Sequence, residues 1–177
     1  MRRGIPALLG LTLLGIAATS AQQPATPGGN PLDVVPDKMP FDVPYGAPVG
    51  LDRALGAIAA AVAEAKKHDW KMNVAVVDSG GNLVAFQRMD GAQLASIQVS
   101  EHKARTAALY RRETKAFENA IQLNNSPYVT TLDGMIGSRG GIPLIEAGKL
   151  IGAIGCSGGT GSQDEVVCTA AAAAFKR

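Results

Sequence analysis

The residues that point most clearly to chemistry lie in one glycine-rich segment, residues 152–165. An apolar run ends at Ser157, and Gly158, Gly159 and Gly161 follow it. Glycine lets the backbone adopt positive φ and approach a ligand closely. A helix that begins directly after these glycines would direct unpaired N–H groups at a carboxylate or phosphate. Ser157, Gly158 and Gly159 are therefore candidate ligand-binding residues.

Two acidic residues in the same segment support a competing interpretation. Ser162 and Glu165 have the S-x-x-E spacing of a capping box, which predicts that the helix begins at Ser162. Asp164 and Glu165 then place negative charge at that helix end, where they would repel an anion and could bind a metal ion such as iron. A tight strand-to-helix connection without a ligand fits the same residues. An anion site, a cation site and a plain connector all remain open.

A second candidate group belongs to a helix predicted over residues 94–110. Lys103 and Thr106 share one face of this helix, and His102 points about 100° away from Lys103. An imidazole at this place could be an iron ligand or a general base, or an ordinary surface residue.

Arg88 and Asp90 form a third candidate group, at the end of a predicted strand. They could bind a ligand carboxylate or a cation, or they could bridge each other or cap the next helix. Residues 155–159 only loosely resemble the G-x-S-x-G elbow, which needs parallel strands, so Ser157 has no visible catalytic triad. The chain carries no P-loop, dinucleotide-binding fingerprint or H-E-x-x-H motif.

The elements that must position these groups follow from the hydrophobic pattern. Apolar residues recur with a helical period near the start of the domain, and strand-forming runs flank two short turns. Each such pair predicts a β-hairpin with antiparallel strands, so the fold class is α+β and not a doubly wound sheet. The predicted order is helix 51–68, hairpin 72–78 and 83–88, helices 94–110 and 114–122, hairpin 142–146 and 149–156, and helix 162–175.

The first 49 residues are predicted to precede the globular domain. Residues 1–21 have the two arginines, short apolar run and small residues of a secretory signal peptide, and leave no stable membrane span after cleavage. Residues 22–49 carry a proline every three to five residues, which predicts an extended linker. The globular domain is then 50–177, and the expected location is periplasmic or secreted.

Charge and cysteine content narrow the expected partners. The formal net charge is +2, and the predicted signal peptide carries two arginines and no acid, so the rest of the chain is close to neutral. Nucleic acid is therefore excluded as a partner. Export permits disulfides. Cys156 and Cys168 would form one if the last helix folds back over the strand, and otherwise they are two buried thiols.

Six motifs, taken in order, resemble the GlcG/HbpS family, also described as domain of unknown function 336 or the haem-degrading domain, and the C-terminal domain of PduO-type proteins. They are Val76–Val84, Arg88–Gly91, Lys103–Ala107, Gly140–Pro143, Gly152–Gly159 and Gln163–Glu165. The resemblance implies a five-stranded antiparallel sheet flanked by helices in a profilin- or PAS-like three-layer arrangement. It also implies homo-oligomers, from dimers to octamers.

The resemblance further implies a function, since some exported members of the family bind haem and are linked to redox sensing and haem breakdown with iron capture. We therefore expect an exported protein that binds haem or a related tetrapyrrole in one pocket, with the glycine turn as a wall. The residues expected to bind haem are Arg88, Asp90, His102, Lys103, Thr106, Ser157, Gly158 and Gly159, and those expected to bind iron are His102, Asp164 and Glu165.

Two alternative functions stay open at this stage. One is an isomerase or lyase acting on a small organic acid, with Arg88 holding a carboxylate and Asp90 or Asp164 acting as acid or base. The other is a non-catalytic oligomeric module for sensing or assembly, in which the linker and the oligomer surface are the functional parts.

Overall fold

The computed structural model describes residues 33–175 and places residues 39–175 in one compact unit. The predicted signal peptide and residues 22–32 of the predicted linker lie outside the described residues. The helices are α1 (Leu51–Lys67), α2 (Ser96–Leu109), α3 (Lys115–Gln122) and α4 (Gly161–Ala172), and the strands are β1 (Asn73–Asp78), β2 (Leu83–Arg88), β3 (Gly141–Glu146) and β4 (Lys149–Ser157). Short 3₁₀ helices cover Pro127–Thr131 and Ala173–Phe175. Within residues 33–175, no helix is long and apolar enough to cross a membrane.

Both predicted hairpins form, and they meet in one antiparallel sheet of order β2-β1-β4-β3. Strand β1 pairs with β2 on one side and with β4 on the other, so Asn73 lies opposite both Arg88 and Ser157. The α+β class predicted from the two hairpins is therefore confirmed.

The five-stranded sheet implied by the family resemblance is wrong for the described residues, in which the sheet has four strands. Beyond the end of β1, Tyr45 makes a single parallel bridge to Leu150. The Gly46 N–H donates to the Leu150 carbonyl at 2.7 Å, and the Leu150 N–H donates to the Pro44 carbonyl at 2.8 Å. Pro44 and Pro48 have no N–H to donate, so this pairing does not extend into a ladder.

Helices cover both faces of the sheet, which explains why residues 74–77 of β1 are all apolar instead of alternating. Helices α1 and α4 pack on one face and α2 packs on the other. The core beneath α1 and α4 includes Val74, Val76 and Ile154, and the core beneath α2 includes Ala75, Val77 and Ala153. The profilin- or PAS-like arrangement stays a prediction.

Two glycines let α2 lie very close to the sheet. A Cβ atom built on Gly155 would stand 2.1 Å from the Ser100 carbonyl oxygen, and one built on Gly141 would stand 2.3 Å from the Lys103 carbonyl oxygen. The two glycines are paired across β3 and β4. The sheet therefore offers a strip without side chains to the backbone of α2, the helix that carries Lys103.

Replacing Gly155 by alanine is expected to lower the free energy of unfolding by about 1–3 kcal/mol, the usual cost of overpacking a core. The new methyl group would meet backbone atoms, which cannot rotate away, so α2 must shift. Gly56 is the matched control, because it is exposed in α1 and a Cβ there meets nothing within 4 Å. Alanine at Gly56 should stabilise the helix by up to about 1 kcal/mol. Urea unfolding measures both variants, and equal midpoints would contradict the close packing of α2.

The last part of the predicted linker packs on the globular domain. The Arg112 guanidinium lies 3.2 Å from the centroid of the Phe41 ring, a cation–π contact. The Tyr45 hydroxyl donates to the Leu109 carbonyl at 2.9 Å, at the end of α2. Aromatic residues in this proline-rich segment thus attach it to the fold.

Candidate functional site

The Lys103 and Asp164 side chains form a buried ion pair between α2 and the start of α4. Lys103 Nζ lies 2.6 Å from Asp164 Oδ2, and the two side chains are 1% and 3% exposed. The other carboxylate oxygen, Oδ1, accepts the Gly158 and Gly159 N–H groups at 3.1 and 3.2 Å. Burial raises the pKa of Asp164, although Lys103 and the two N–H groups favour its ionised form. The Asp164 carboxylate therefore fastens the glycine turn to α2.

This ion pair leaves the glycine-turn residues little capacity for an anion or a metal ion. The Gly158 and Gly159 N–H groups, which the sequence offered to a ligand anion, already bind a carboxylate of the same chain. Glu165 lies in ion pairs with Lys115 at 2.8 Å and with Arg139 at 3.3 Å. In the described part of the chain, no group of three or more histidine, cysteine, aspartate or glutamate side chains is arranged to hold a metal ion. The three residues expected to bind iron are thus not gathered in one site.

Helix α4 is capped two residues earlier than the S-x-x-E spacing predicts. Thr160 is the N-cap: its N–H donates to Gln163 Oε1 at 2.8 Å, and the Gln163 N–H donates to Thr160 Oγ1 at 3.4 Å. The capping box predicted on Ser162 and Glu165 is wrong, because the Glu165 carboxylate binds neighbouring cations instead. Thr160 and Gln163 have the T-x-x-Q spacing, which is also a capping-box pattern. The sequence therefore contains two overlapping capping-box patterns, and the prediction rested on the wrong one.

A disulfide ties α4 to β4. The Cys156 and Cys168 Cα atoms lie 5.7 Å apart and their sulfur atoms are bonded. Both residues are fully buried. Of the two interpretations left open by the sequence, the disulfide is the one that forms, and the last helix does fold back over the strand. The strand and the helix on either side of the glycine turn are thus covalently joined.

Thr106 is buried and holds a loop. Its Oγ1 donates to the Gly134 carbonyl at 3.1 Å and accepts the Ile136 N–H at 3.1 Å. Both bonds run from α2 to the segment that precedes β3. Thr106 therefore positions this segment against α2, and its hydroxyl is already engaged within the protein.

The His102 side chain lines a groove between α2 and the loop that Thr106 holds. The groove has a volume of about 390 Å³. His102 is exposed, and Arg105 and Leu109 line the groove from the same helix, while Asp133 and Gly134 line it from the loop. The groove thus presents an imidazole, a guanidinium, a carboxylate and an apolar side chain to one ligand.

Arg88 and Asp90 lie elsewhere, at the end of the sheet where β1 begins and β2 ends. Together with Lys66 and Lys71 they line a groove of about 350 Å³, which we call the sheet-end groove. A second groove, of about 370 Å³, contains Lys71 as well, and its lining also includes Trp70, Gly158 and Gly159. Gly158 and Gly159 therefore line a groove at this end of the sheet, and Lys71 lines both grooves.

A buried polar row crosses the sheet at the same end. Asn73 is fully buried between Arg88 and Ser157 in the strand register, and Ser157 is 5% exposed. Asn73 Nδ2 donates to the Gln93 carbonyl at 3.0 Å. Its Oδ1 has no hydrogen-bond partner among the described residues. Ser157 therefore belongs to this row, opposite Asn73.

The residues expected in one pocket are thus distributed over three places. Lys103, Thr106 and Asp164 are buried and engaged with the protein itself, His102 lines the groove on α2, and Arg88 and Asp90 line the sheet-end groove. The sequence analysis missed Lys66, Lys71 and Trp70. The available signal was the run of residues 66–71, with three lysines and the single tryptophan, which covers the end of the first predicted helix and the connection to the first predicted strand.

The comparisons with known proteins agree on one family. A family model described as "Haem degrading protein HbpS-like" matches residues 49–173. Protein GlcG of Escherichia coli K12 is 43% identical over 104 residues, which make up 59% of this chain and 77% of GlcG.

Two solved structures have a similar fold. The PduOC–haem complex superposes with a TM-score of 0.67 at 28% identity, over 73% of this chain and 96% of PduOC. A double mutant of HbpS from Streptomyces reticuli superposes with a TM-score of 0.69 at 29% identity, over 85% of this chain and 100% of that chain. The family match spans α1 to α4 and β1 to β4. The resemblance seen in the six motifs is confirmed: the chain belongs to the HbpS-like family.

Proposed function

We propose that this protein binds haem, and that the groove lined by His102 receives it. The family is described as haem-degrading, and the similar PduOC structure contains haem. The observation that carries the proposal is the exposed imidazole of His102 in an open groove of about 390 Å³. Histidine is a common axial ligand of haem iron.

The donor set of the groove fits the parts of haem. Arg105 supplies positive charge for a propionate, and Leu109, 42% exposed, supplies apolar contact for the ring. Glu101 and Asp133 also line the groove and repel propionates, so the carboxylates face Arg105. When bound, haem would supply a redox-active iron; the chain's own residues bind its carboxylates, orient the ring and offer an imidazole nitrogen.

The groove covers one face of a planar macrocycle, since its other side is open to solvent. A second copy of the chain would cover the opposite face, in line with the homo-oligomers that the sequence analysis expects. The apolar side chain in the groove lining, Leu109, is 42% exposed. Burying this side chain would favour both the oligomer and the bound ring.

We also propose that the protein is exported. The disulfide supports a periplasmic or secreted location, because disulfides persist in oxidising compartments. The predicted signal peptide over residues 1–21 provides the route. A role in haem breakdown is supported by the family description, and a role in redox sensing by the resemblance given in the sequence analysis.

Replacing His102 by alanine is expected to change the Soret spectrum of the hemin complex and to weaken hemin binding by at least about tenfold, or 1.4 kcal/mol. The chain has two histidines, so His68→Ala is the matched control. His68 stacks on Trp70 at 4.3 Å between ring centroids and is absent from the groove lining. Absorbance titration of both variants locates the ligand. An unchanged spectrum in His102→Ala, with loss of the complex in His68→Ala, would move the haem site to the sheet end.

A further inference from the structure

Three cations from three different elements line the sheet-end groove. Lys66 lies in the last turn of α1, Lys71 in the connection to β1, and Arg88 at the end of β2. Asp90 is the acidic residue in the same lining. Positive charge therefore exceeds negative charge around this groove, although the chain after the predicted signal peptide is close to neutral.

Much of this positive charge is available to a ligand. Among the described residues, neither Lys66 nor Arg88 has a carboxylate within ion-pair distance. Lys71 pairs with Asp69, but these side chains are 47% and 89% exposed, and ion pairs so exposed contribute at most about 1 kcal/mol. An anion in the groove can replace Asp69 at little cost.

The remaining lining limits the size and shape of the ligand. Val62 is 8% exposed and Met89 is half-buried against the core, so one wall is apolar. The groove volume of about 350 Å³ is near the lower end of the range for small-molecule sites. The neighbouring glycine turn offers no free donor from Gly158 or Gly159 to an anion, because Asp164 occupies those N–H groups. The cationic side chains must therefore provide the recognition.

We infer that the groove lined by Lys66, Lys71 and Arg88 binds a small organic molecule that carries two anionic oxygen groups, carboxylate or phosphate. The guanidinium of Arg88 suits a planar or tetrahedral oxyanion through paired N–H donors. The two lysines bind the second anionic group, and the apolar wall contacts the carbon chain between the groups. This site goes beyond the haem proposal and does not depend on it.

Calorimetric titration of the full protein tests this site, with succinate (two carboxylates) and propane-1,3-diol bisphosphate (two phosphates) as probes and sodium chloride at matched ionic strength as the blank. Trp70, the single tryptophan, lines the adjoining groove with Lys71, so its fluorescence reports occupancy at the sheet end. We expect saturable binding of at least one probe, with a fluorescence change at the same midpoint. The probe that binds identifies the anionic group.

Arg88→Gln and Lys66→Gln should each weaken the bound probe by about tenfold, the effect of losing 1.4 kcal/mol. Arg105→Gln is the matched control, because it removes a cation from the His102 groove and should leave probe binding unchanged. Three results would overturn the inference: heats no larger than those of sodium chloride, equal affinity in Arg88→Gln and Arg105→Gln, or complete displacement of the probe by hemin, which would make this groove the haem site.

Discussion

Lys103→Met is expected to lower the free energy of unfolding by about 3–5 kcal/mol at neutral pH, because it leaves a buried carboxylate without its counter-charge. Asp164 is 3% exposed and Lys103 is the cation that contacts it, at 2.6 Å. The Gly158 and Gly159 N–H groups remain as its partners, and they do not neutralise its charge. Urea unfolding followed by circular dichroism measures the loss.

Two comparisons separate this effect from a general loss of stability. Lys67→Met removes a lysine from an exposed ion pair with Glu64 and should cost no more than about 1 kcal/mol. Lys103→Met/Asp164→Asn removes both charges while an amide oxygen remains for the glycine N–H groups, so much of the lost stability should return. A loss in Lys103→Met as small as that in Lys67→Met would contradict the buried ion pair.

The deficit of Lys103→Met should also depend on pH. Burial already raises the pKa of Asp164 above its ordinary value, and removing Lys103 raises it further. A carboxyl group with a raised pKa in the folded state destabilises the fold above that pKa and no longer does so when protonated. The deficit should therefore be full above the raised pKa and shrink as the pH falls below it. A deficit that grows on acidification would show that Asp164 is not the group left unpaired.

Removal of the disulfide has the second largest expected effect. Cys156→Ala/Cys168→Ala should lower the free energy of unfolding by about 2–4 kcal/mol, because the cross-link restricts the unfolded chain. Both sulfur atoms are buried between β4 and α4, and the two residues are 12 apart in sequence. Alanine also leaves a cavity there, which adds to the loss.

A reductant provides the control for the disulfide. Dithiothreitol should lower the unfolding midpoint of the parent protein and leave that of the double alanine variant unchanged. Titration of the denatured parent with a thiol reagent should find no free thiol before reduction. Free thiols in the unreduced protein, or equal midpoints with and without reductant, would contradict a structural disulfide.

The hairpins were predictable because their signals are local. Ala147 and Gly148 form a tight turn with φ of +47° and +73°, and strand-forming apolar runs flank this two-residue connection. Similarly, Asp78 Oδ1 accepts the Gly80 and Asn82 N–H groups and closes the first turn. Turn chemistry of this kind depends on a few adjacent residues, so one sequence is enough to locate it.

The burial of Lys103 was not predictable from local pattern. Lysine is rarely buried unless it is paired, and the partner of Lys103 lies 61 residues further along the chain. The close approach of α2 likewise depends on Gly141 and Gly155, which are adjacent only after β3 and β4 have paired. For this reason the sequence identified Lys103 and Asp164 as important residues but assigned them to a ligand.

In the candidate site too, the sequence shows which residue types could bind a ligand, but it does not show which of them lie together. Arg88 and His102 were expected in one pocket from the sequence, as residues able to bind an anion and a metal, and only the fold shows that they line different grooves. Lys66 and Lys71 come together with Arg88 because α1, the start of β1 and the end of β2 meet at one end of the sheet. That convergence is a property of the tertiary fold.

Titration of the purified protein with hemin tests the central claim most directly. The account predicts a Soret band shifted from that of free hemin, which saturates at a fixed ratio of haem to protein and is altered in His102→Ala but retained in His68→Ala. A band that increases without saturation, identical in the parent protein and in both variants, would contradict the proposal that this protein binds haem at the His102 groove.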